Sequence, residues 1–222
     1  MPELQNKPWL KSYPDGVSSN INFDEYKSLV DMFEKTTQRF NNKKAFTNFG
    51  VSITFNQINS YTNNLAAFLQ NKLNLPKGSR VAIMMPNLLQ YPISTFGILK
   101  AGLIVENINP LYTERELESQ LINSQSETII ILENFASSLE KIIHKTKINN
   151  IIITSVGELL GTKGKIMNFV LRKIKKMVPK YSLDKFYKFS DIINNKEKYI
   201  FKEILLELND IAFLQYTGGT SG

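Results

Sequence analysis

The chain of 222 residues has no cysteine and a single histidine. No disulfide framework and no thiolate metal site can form, and one imidazole, His144, is too few for a histidine-based metal centre. The absence of cysteine is compatible with a reducing compartment. Tryptophan also occurs once, at Trp9, where it reads as a packing anchor. No apolar run approaches the ~20 residues needed to cross a bilayer. The opening stretch, "MPELQNKPWLKSYPDG", lacks the apolar core of a signal peptide. The expected location is therefore the cytoplasm, with any membrane contact peripheral. Internal repeats and low-complexity tracts are missing too. Acid is missing from one long stretch: seven basic residues and no Asp or Glu lie between Leu159 and Leu183. The whole chain has 27 basic and 20 acidic residues, so this stretch holds the entire positive excess.

What is present is a core. Hydrophobic residues make up 42% of the chain and aromatics 11%, enough for a folded globular unit. Apolar residues at Tyr26, Val30, Phe33 and Phe40 have helical spacing. Short β-type runs follow at Ala45–Phe49 and Ser52–Phe55. Ile58, Tyr61, Leu65, Phe68 and Leu73 then mark an amphipathic helix, with Asn56 available as its cap. "RVAIMM" (Arg80–Met85) reads as a strand buried on both faces. Asn87–Lys100 reads as a helix closed by Gly102, with Pro92 tolerable only near its first turn. "LIVENI" is a strand. "TERE" (Thr113–Glu116) fits a capping box, a structural role, ahead of a helix carrying Leu117 and Leu121. "TIIIL", helical Phe135–Lys145 and "NIIIT" continue the alternation. The fold class expected is α/β, a parallel sheet with flanking helices and right-handed crossovers.

Asp210–Tyr216 is one further apolar strand, expected in the centre of the sheet, and it runs into "YTGGTSG". Gly218 and Gly219 permit positive φ and close backbone approach, and successive N–H groups there can form a nest for anionic oxygens. Thr217, Thr220 and Ser221 add hydroxyl donors. A plain surface turn has the same residue types, but a loop fed by a buried strand favours a phosphate or nucleotide site. A Walker-type loop is disfavoured, since Thr217 stands five positions before Gly222 where that pattern needs glycine.

These residues resemble the adenylate-forming enzymes. "YTGGTSG" is similar to their Thr/Ser/Gly-rich loop, and "MMPNLLQYPISTFGILKAGLIVENINPLYTERELESQL" (Met84–Leu121) resembles the bacterial long-chain fatty-acid–CoA ligases. "NFASSLEKII", "FVLRKIKKMVPKY" and "AFLQYTGG" agree with that subgroup, and the likeness runs from about Trp9 to the last residue. The resemblance implies that residues 1–222 are an incomplete N-terminal AMP-binding domain, with the mobile C-terminal domain absent. It implies a two-step reaction: a long-chain fatty acid attacks the α-phosphate of ATP, and coenzyme A then displaces AMP from the acyl-adenylate. Thr217, Gly218, Gly219, Thr220, Ser221 and Gly222 would hold the outer phosphates. The Mg ligand and the catalytic residues would lie downstream of Gly222, so no catalytic residue is expected here and the chain alone is expected to be inactive. A homodimer is compatible with the family. The alternatives are a ligase for another carboxylate and a non-catalytic fragment, either a pseudogene product or a membrane-associating module.

One position departs from the subgroup. Glu106 stands in "LIVENI" where relatives have an apolar residue, and an unpaired carboxylate buried there would be costly. Either it is exposed or the sequence has drifted under relaxed selection, in keeping with the Asn, Ile and Lys richness of an AT-biased genome. The basic stretch is expected to form an amphipathic helix over Ile166–Lys180. Ile166, Met167, Val170, Leu171, Ile174, Met177 and Val178 fall on one arc, with Phe169 as the apolar exception on the cationic side. Ile166, Phe169, Arg172, Lys173, Lys175 and Lys176 are the candidates for contact with the inner face of the cell membrane. The bland reading is a solvated surface helix. No reader motif accompanies the lysines, so nucleic acid is not expected as a partner.

Overall fold

The computed structural model describes residues 7–20 and 25–217. A 3-10 turn, Pro8–Ser12, opens it and buries none of its residues. Trp9 is consequently not the packing anchor expected, with 48% of its surface exposed. Helix α1 (Leu29–Arg39) starts where Ser28 Oγ accepts from the Asp31 amide. A hairpin of β1 (Lys44–Asn48) and β2 (Val51–Thr54) leads directly into α2 (Phe55–Asn71). The cap of α2 is Thr54 and not Asn56. Its hydroxyl accepts from the Gln57 amide while the Gln57 side chain accepts from the Thr54 amide, a complete capping box.

The alternating part follows as expected: β3 (Arg80–Met84), α3 (Gln90–Lys100), β4 (Ile104–Asn107), α4 (Glu114–Ser124), β5 (Thr128–Leu132), α5 (Ala136–Ile142) and β6 (Asn150–Thr154). After it come α6 (Gly161–Phe169), β7 (Tyr187–Lys188), α7 (Phe189–Ile193) and β8 (Phe213–Gln215). All six strands from β3 onward pair in parallel, in the order β7-β6-β5-β3-β4-β8. Side chains alternate across the sheet as strand geometry requires. Val81, Ile83, Ile130 and Ile152 join a core with α1, α2, α3 and α7. Ala82, Met84, Ile129 and Ile131 face α4 and α5. The connection after β3 therefore leaves toward one face, whereas those after β4 and β5 leave toward the other.

Two polar groups inside this body are fully partnered. Lys100, in the last turn of α3, lies 2.9 Å from Glu34 Oε1 and donates to Asn59 Oδ1 at 3.0 Å, tying α3 to α1 and α2. Glu106 is fully buried, contrary to the alternative that it is exposed. It is not unpaired: Gln120 Nε2 donates to it at 2.9 Å and Ser126 Oγ at 2.5 Å.

Two expectations are corrected. Strand β8 holds three residues and pairs only with β4, so among the described residues it is an edge strand and not a central one. The basic helix is also shorter than Ile166–Lys180. It widens into a π turn over Val170–Ile174. It stops where Lys176 turns left-handed at φ +51, with the Met177 amide bonded back to Leu171 O at 2.9 Å, one residue wider than the usual left-handed helix closure.

A candidate nucleotide crevice at the carboxyl edge of the sheet

In a parallel sheet the strand C-termini open a crevice where neighbouring connections part to opposite faces. Strands β3 and β4 part in this way. Between their ends lies a cleft of about 390 Å³ that β8 closes on the third side. The Pro86–Asn87 turn lines one wall, Asn109–Tyr112 another, and Gln215–Tyr216 the third. The second wall is built locally: Asn109 Oδ1 accepts from the Leu111 amide and Asn109 O from the Tyr112 amide, a turn that Asn favours.

Asn107, the last residue of β4, is the hub of the cleft. Tyr91 Oη donates to its Oδ1 at 3.0 Å, and its Nδ2 donates to Gln215 Oε1 at 3.1 Å. A relay of side chains thus fixes the end of β8 relative to the start of α3. Tyr216, one residue on, donates to Asn123 Oδ1 at 2.6 Å. Burial raises the pKa of its phenol, and the charge of Glu106 adds to the rise. The hydroxyl therefore stays a donor and holds the strand exit against α4.

Thr217 follows and is exposed. Gly218, Gly219, Thr220, Ser221 and Gly222 lie outside the described residues, so of the expected phosphate-holding residues only Thr217 is placed. Asn107, Tyr91 and Gln215 did not emerge from the sequence reading. A polar residue ending a buried strand was the available signal for Asn107. For Tyr91 and Gln215 only the fold brings the side chains together.

A second polar cluster sits at the carboxyl end of β6. Gln90 Nε2 donates to Thr154 Oγ1 at 3.1 Å and to Ser155 O at 2.7 Å. The Glu158 carboxyl accepts from Thr154 Oγ1 and, at 3.0 Å, from the Ser190 amide. Burial pushes the Glu158 pKa up, against the pull of these hydrogen bonds.

The expected membrane-contact residues divide into two groups. Ile166 and Phe169 are exposed, as are Lys173, Lys175 and Lys176, and none of these lysines forms an ion pair among the described residues. Arg172 differs from its expected role. Its Nε lies 3.1 and 3.0 Å from the two oxygens of buried Glu133, and a second guanidinium nitrogen lies 2.8 Å from Oε2. It is an internal tie. No described helix is long and apolar enough to cross a membrane. Among the described residues no three His, Asp or Glu side chains converge into a metal-holding group.

In a parallel α/β sheet, a polar cleft at the carboxyl edge is where ligands bind. The chain belongs to the AMP-binding enzyme family, whose pattern matches residues 33–222. It is 49% identical over 219 residues to a long-chain-fatty-acid–CoA ligase of Escherichia coli, covering 97% of this chain and 39% of that protein. Ligases of the same description from Haemophilus influenzae and Bacillus subtilis are 45% and 36% identical. The chain thus spans about 39% of the length of such relatives. Among solved structures, an anthranilate–CoA ligase holding anthranoyl-AMP superposes with a TM-score of 0.71 at 22% identity, covering 89% of this chain and 33% of that one. A long-chain-fatty-acid–CoA ligase of Archaeoglobus fulgidus superposes with a TM-score of 0.66 at 20% identity, covering 91% and 36%. These likenesses establish the fold.

Proposed function

We propose that residues 1–222 are the nucleotide-gripping, amino-terminal part of an acid–thiol ligase that joins a long-chain fatty acid to coenzyme A at the expense of ATP. The observation that carries this is where β8 ends. The strand brings Gln215 and Tyr216 to the cleft at the sheet's carboxyl edge, and in the sequence "TGGTSG" comes next. Backbone amides and hydroxyls on such a loop stabilise the charge that moves onto departing pyrophosphate by being in place beforehand. Mg²⁺ would supply further charge neutralisation. Among the described residues no three His, Asp or Glu side chains converge to hold it.

The experiment has two arms. ATP is expected to raise the unfolding temperature of the 222-residue chain, and Gly218→Val to remove that rise without changing the ATP-free temperature. A rise that survives in Gly218→Val, or none in the parent, overturns the assignment of the loop. In the second arm, the purified chain is expected to make no acyl-CoA from ATP, oleate and coenzyme A. Turnover there would overturn its reading as a partial enzyme.

We further infer that the basic segment rests on the inner face of the cell membrane. Its exposed lysines and apolar side chains support this reading, because each near-surface cation contributes about 1 kcal/mol on an anionic leaflet. Flotation with liposomes tests it, and equal binding to neutral and anionic lipid would count against it.

A further inference from the structure

The tip of the β1–β2 hairpin is an unlikely place for an aromatic residue. Asn48 and Val51 are the last paired residues, so Phe49 and Gly50 form a two-residue turn, with φ of +48 and +78. Positive φ at both positions is the type I′ arrangement, which favours Asn, Asp or Gly first because a bulky side chain is strained there. Half of the Phe49 surface nonetheless stays exposed. The fold therefore holds an apolar ring outward at a conformational cost.

The tip is also fixed to the basic segment. Lys163 Nζ donates to Phe49 O at 2.7 Å. Ile166, one turn along α6 from Lys163, is exposed, as are Phe169, Ile174 and Met177 beyond it. At its other side the hairpin donates from Asn48 Nδ2 to Asn87 O at 3.0 Å. Asn87 lines the cleft between β3 and β4, and α6 itself follows the carboxyl end of β6.

We propose that the hairpin tip and α6 form one lipid-docking face, in which Phe49 inserts into an anionic bilayer beside Ile166 and Phe169. The occupant follows from charge: Lys165, Lys173, Lys175 and Lys176 border the apolar row and have no acidic partner among the described residues. A surface of exposed apolar side chains ringed by uncompensated cations matches an anionic lipid leaflet. The face stands at the same edge of the sheet as the cleft. A lipophilic substrate leaving the membrane there would emerge at the edge where the nucleotide is expected. This inference rests on the membrane reading of the basic segment and adds a second, separate element to it.

The absence of cysteine makes the test direct. Phe49→Cys, Ile166→Cys and Leu208→Cys are each labelled with an environment-sensitive fluorophore. Each is then mixed with vesicles of phosphatidylcholine alone or with added phosphatidylglycerol. Labels at 49 and 166 are expected to shift to the blue with the anionic vesicles only, and the exposed control at 208 is expected not to shift. Phe49→Asn, which suits positive φ, is expected to bind anionic vesicles about tenfold more weakly while melting no earlier than the parent. A silent label at 49 beside a shift at 166, or unchanged affinity of Phe49→Asn, overturns the hairpin's part and leaves the basic segment's. No binding by the parent removes both. An equal shift at 208 marks indiscriminate adsorption and overturns the docking face.

Discussion

The body of the sheet, β3 to β6 with α2 to α5, and the segment from Gly157 to Tyr181 are held by different means. The body is held by spread packing: Val81, Ile83, Ile129, Ile130 and Ile131 are almost wholly buried, and each joins one of two continuous cores. The segment anchors Leu160 in one of these cores, with Leu159 and Met167 packed against it, and beyond that contact relies on separate pins. Gly157 and Gly164 approach backbone to backbone, Asn168 bonds the Gly157 amide and Ser155 Oγ, Arg172 grips Glu133, and Asn134 holds Met177 O at 2.9 Å. Many small contacts fail together, whereas pins fail one at a time. A two-way split in how substitutions behave should result.

The largest effect is expected in the body. Ile130→Ala removes a fully buried side chain and should lower stability by about 2–5 kcal/mol. Denaturant unfolding would report it as one cooperative shift. A loss below about 1 kcal/mol would mean that the body is not close-packed, and the contrast would collapse.

Gly164→Ala comes next. A Cβ there would sit 1.7 Å from Gly157 O, and that carbonyl is backbone that cannot rotate away. Relieving the overlap should cost about 1–3 kcal/mol by lifting α6 from the loop after β6. Hydrogen exchange should quicken over Gly161–Lys176 and stay unchanged in β3 to β6. Uniform acceleration throughout would show the segment to be integral to the body.

The same contrast marks what the sequence made legible. Strands buried on both faces announce themselves as unbroken apolar runs, so "RVAIMM", "TIIIL" and "NIIIT" were placed within a residue or two. The Thr113–Glu116 capping box was legible because its chemistry is local. Thr54 was missed as the cap of α2 because its hydroxyl belongs to the preceding strand. The segment misled for a physical reason: a wheel of 3.6 residues cannot foresee a π turn at Val170–Ile174, nor the pull of Glu133 on Arg172. At the candidate site, the direction of β8 was readable, while the loop expected after it lies outside the described residues. The Tyr91–Asn107–Gln215 relay was not readable, because one of its two bonds joins residues 108 positions apart.

Arg172→Ala should produce a smaller and sharper effect. It leaves the carboxylate of Glu133, whose side chain is only 6% exposed, without its cation. Because the arginine itself is half exposed, the cost should be about 1–2 kcal/mol, below that of a wholly buried pair. Pairing Arg172→Met with Glu133→Leu should recover most of it. If the double variant is as unstable as the single one, the pin acts through something other than charge.

The smallest effect expected is pH-dependent, and it separates the two regions by sign. The pKa of Glu158 is raised above its ordinary 4.5, mainly by burial. The folded chain therefore holds that proton to higher pH than the unfolded one, and stability is lost as pH rises from about 4.5 through the raised value. Exposed Glu116 behaves oppositely: hydrogen bonds from Thr113 lower its pKa from 4.5, so its contribution is present above that value and lost on acidification. Glu158→Gln should thus gain thermal stability relative to the parent as pH rises above 4.5, while Glu116→Gln should lose its deficit as pH falls below it. Melting curves across that range decide the matter. A parent and a Glu158→Gln variant that track in parallel would mean the carboxyl is hydrated in the folded state, and that the Thr154–Glu158–Ser190 cluster is as open to water as the cap of α4.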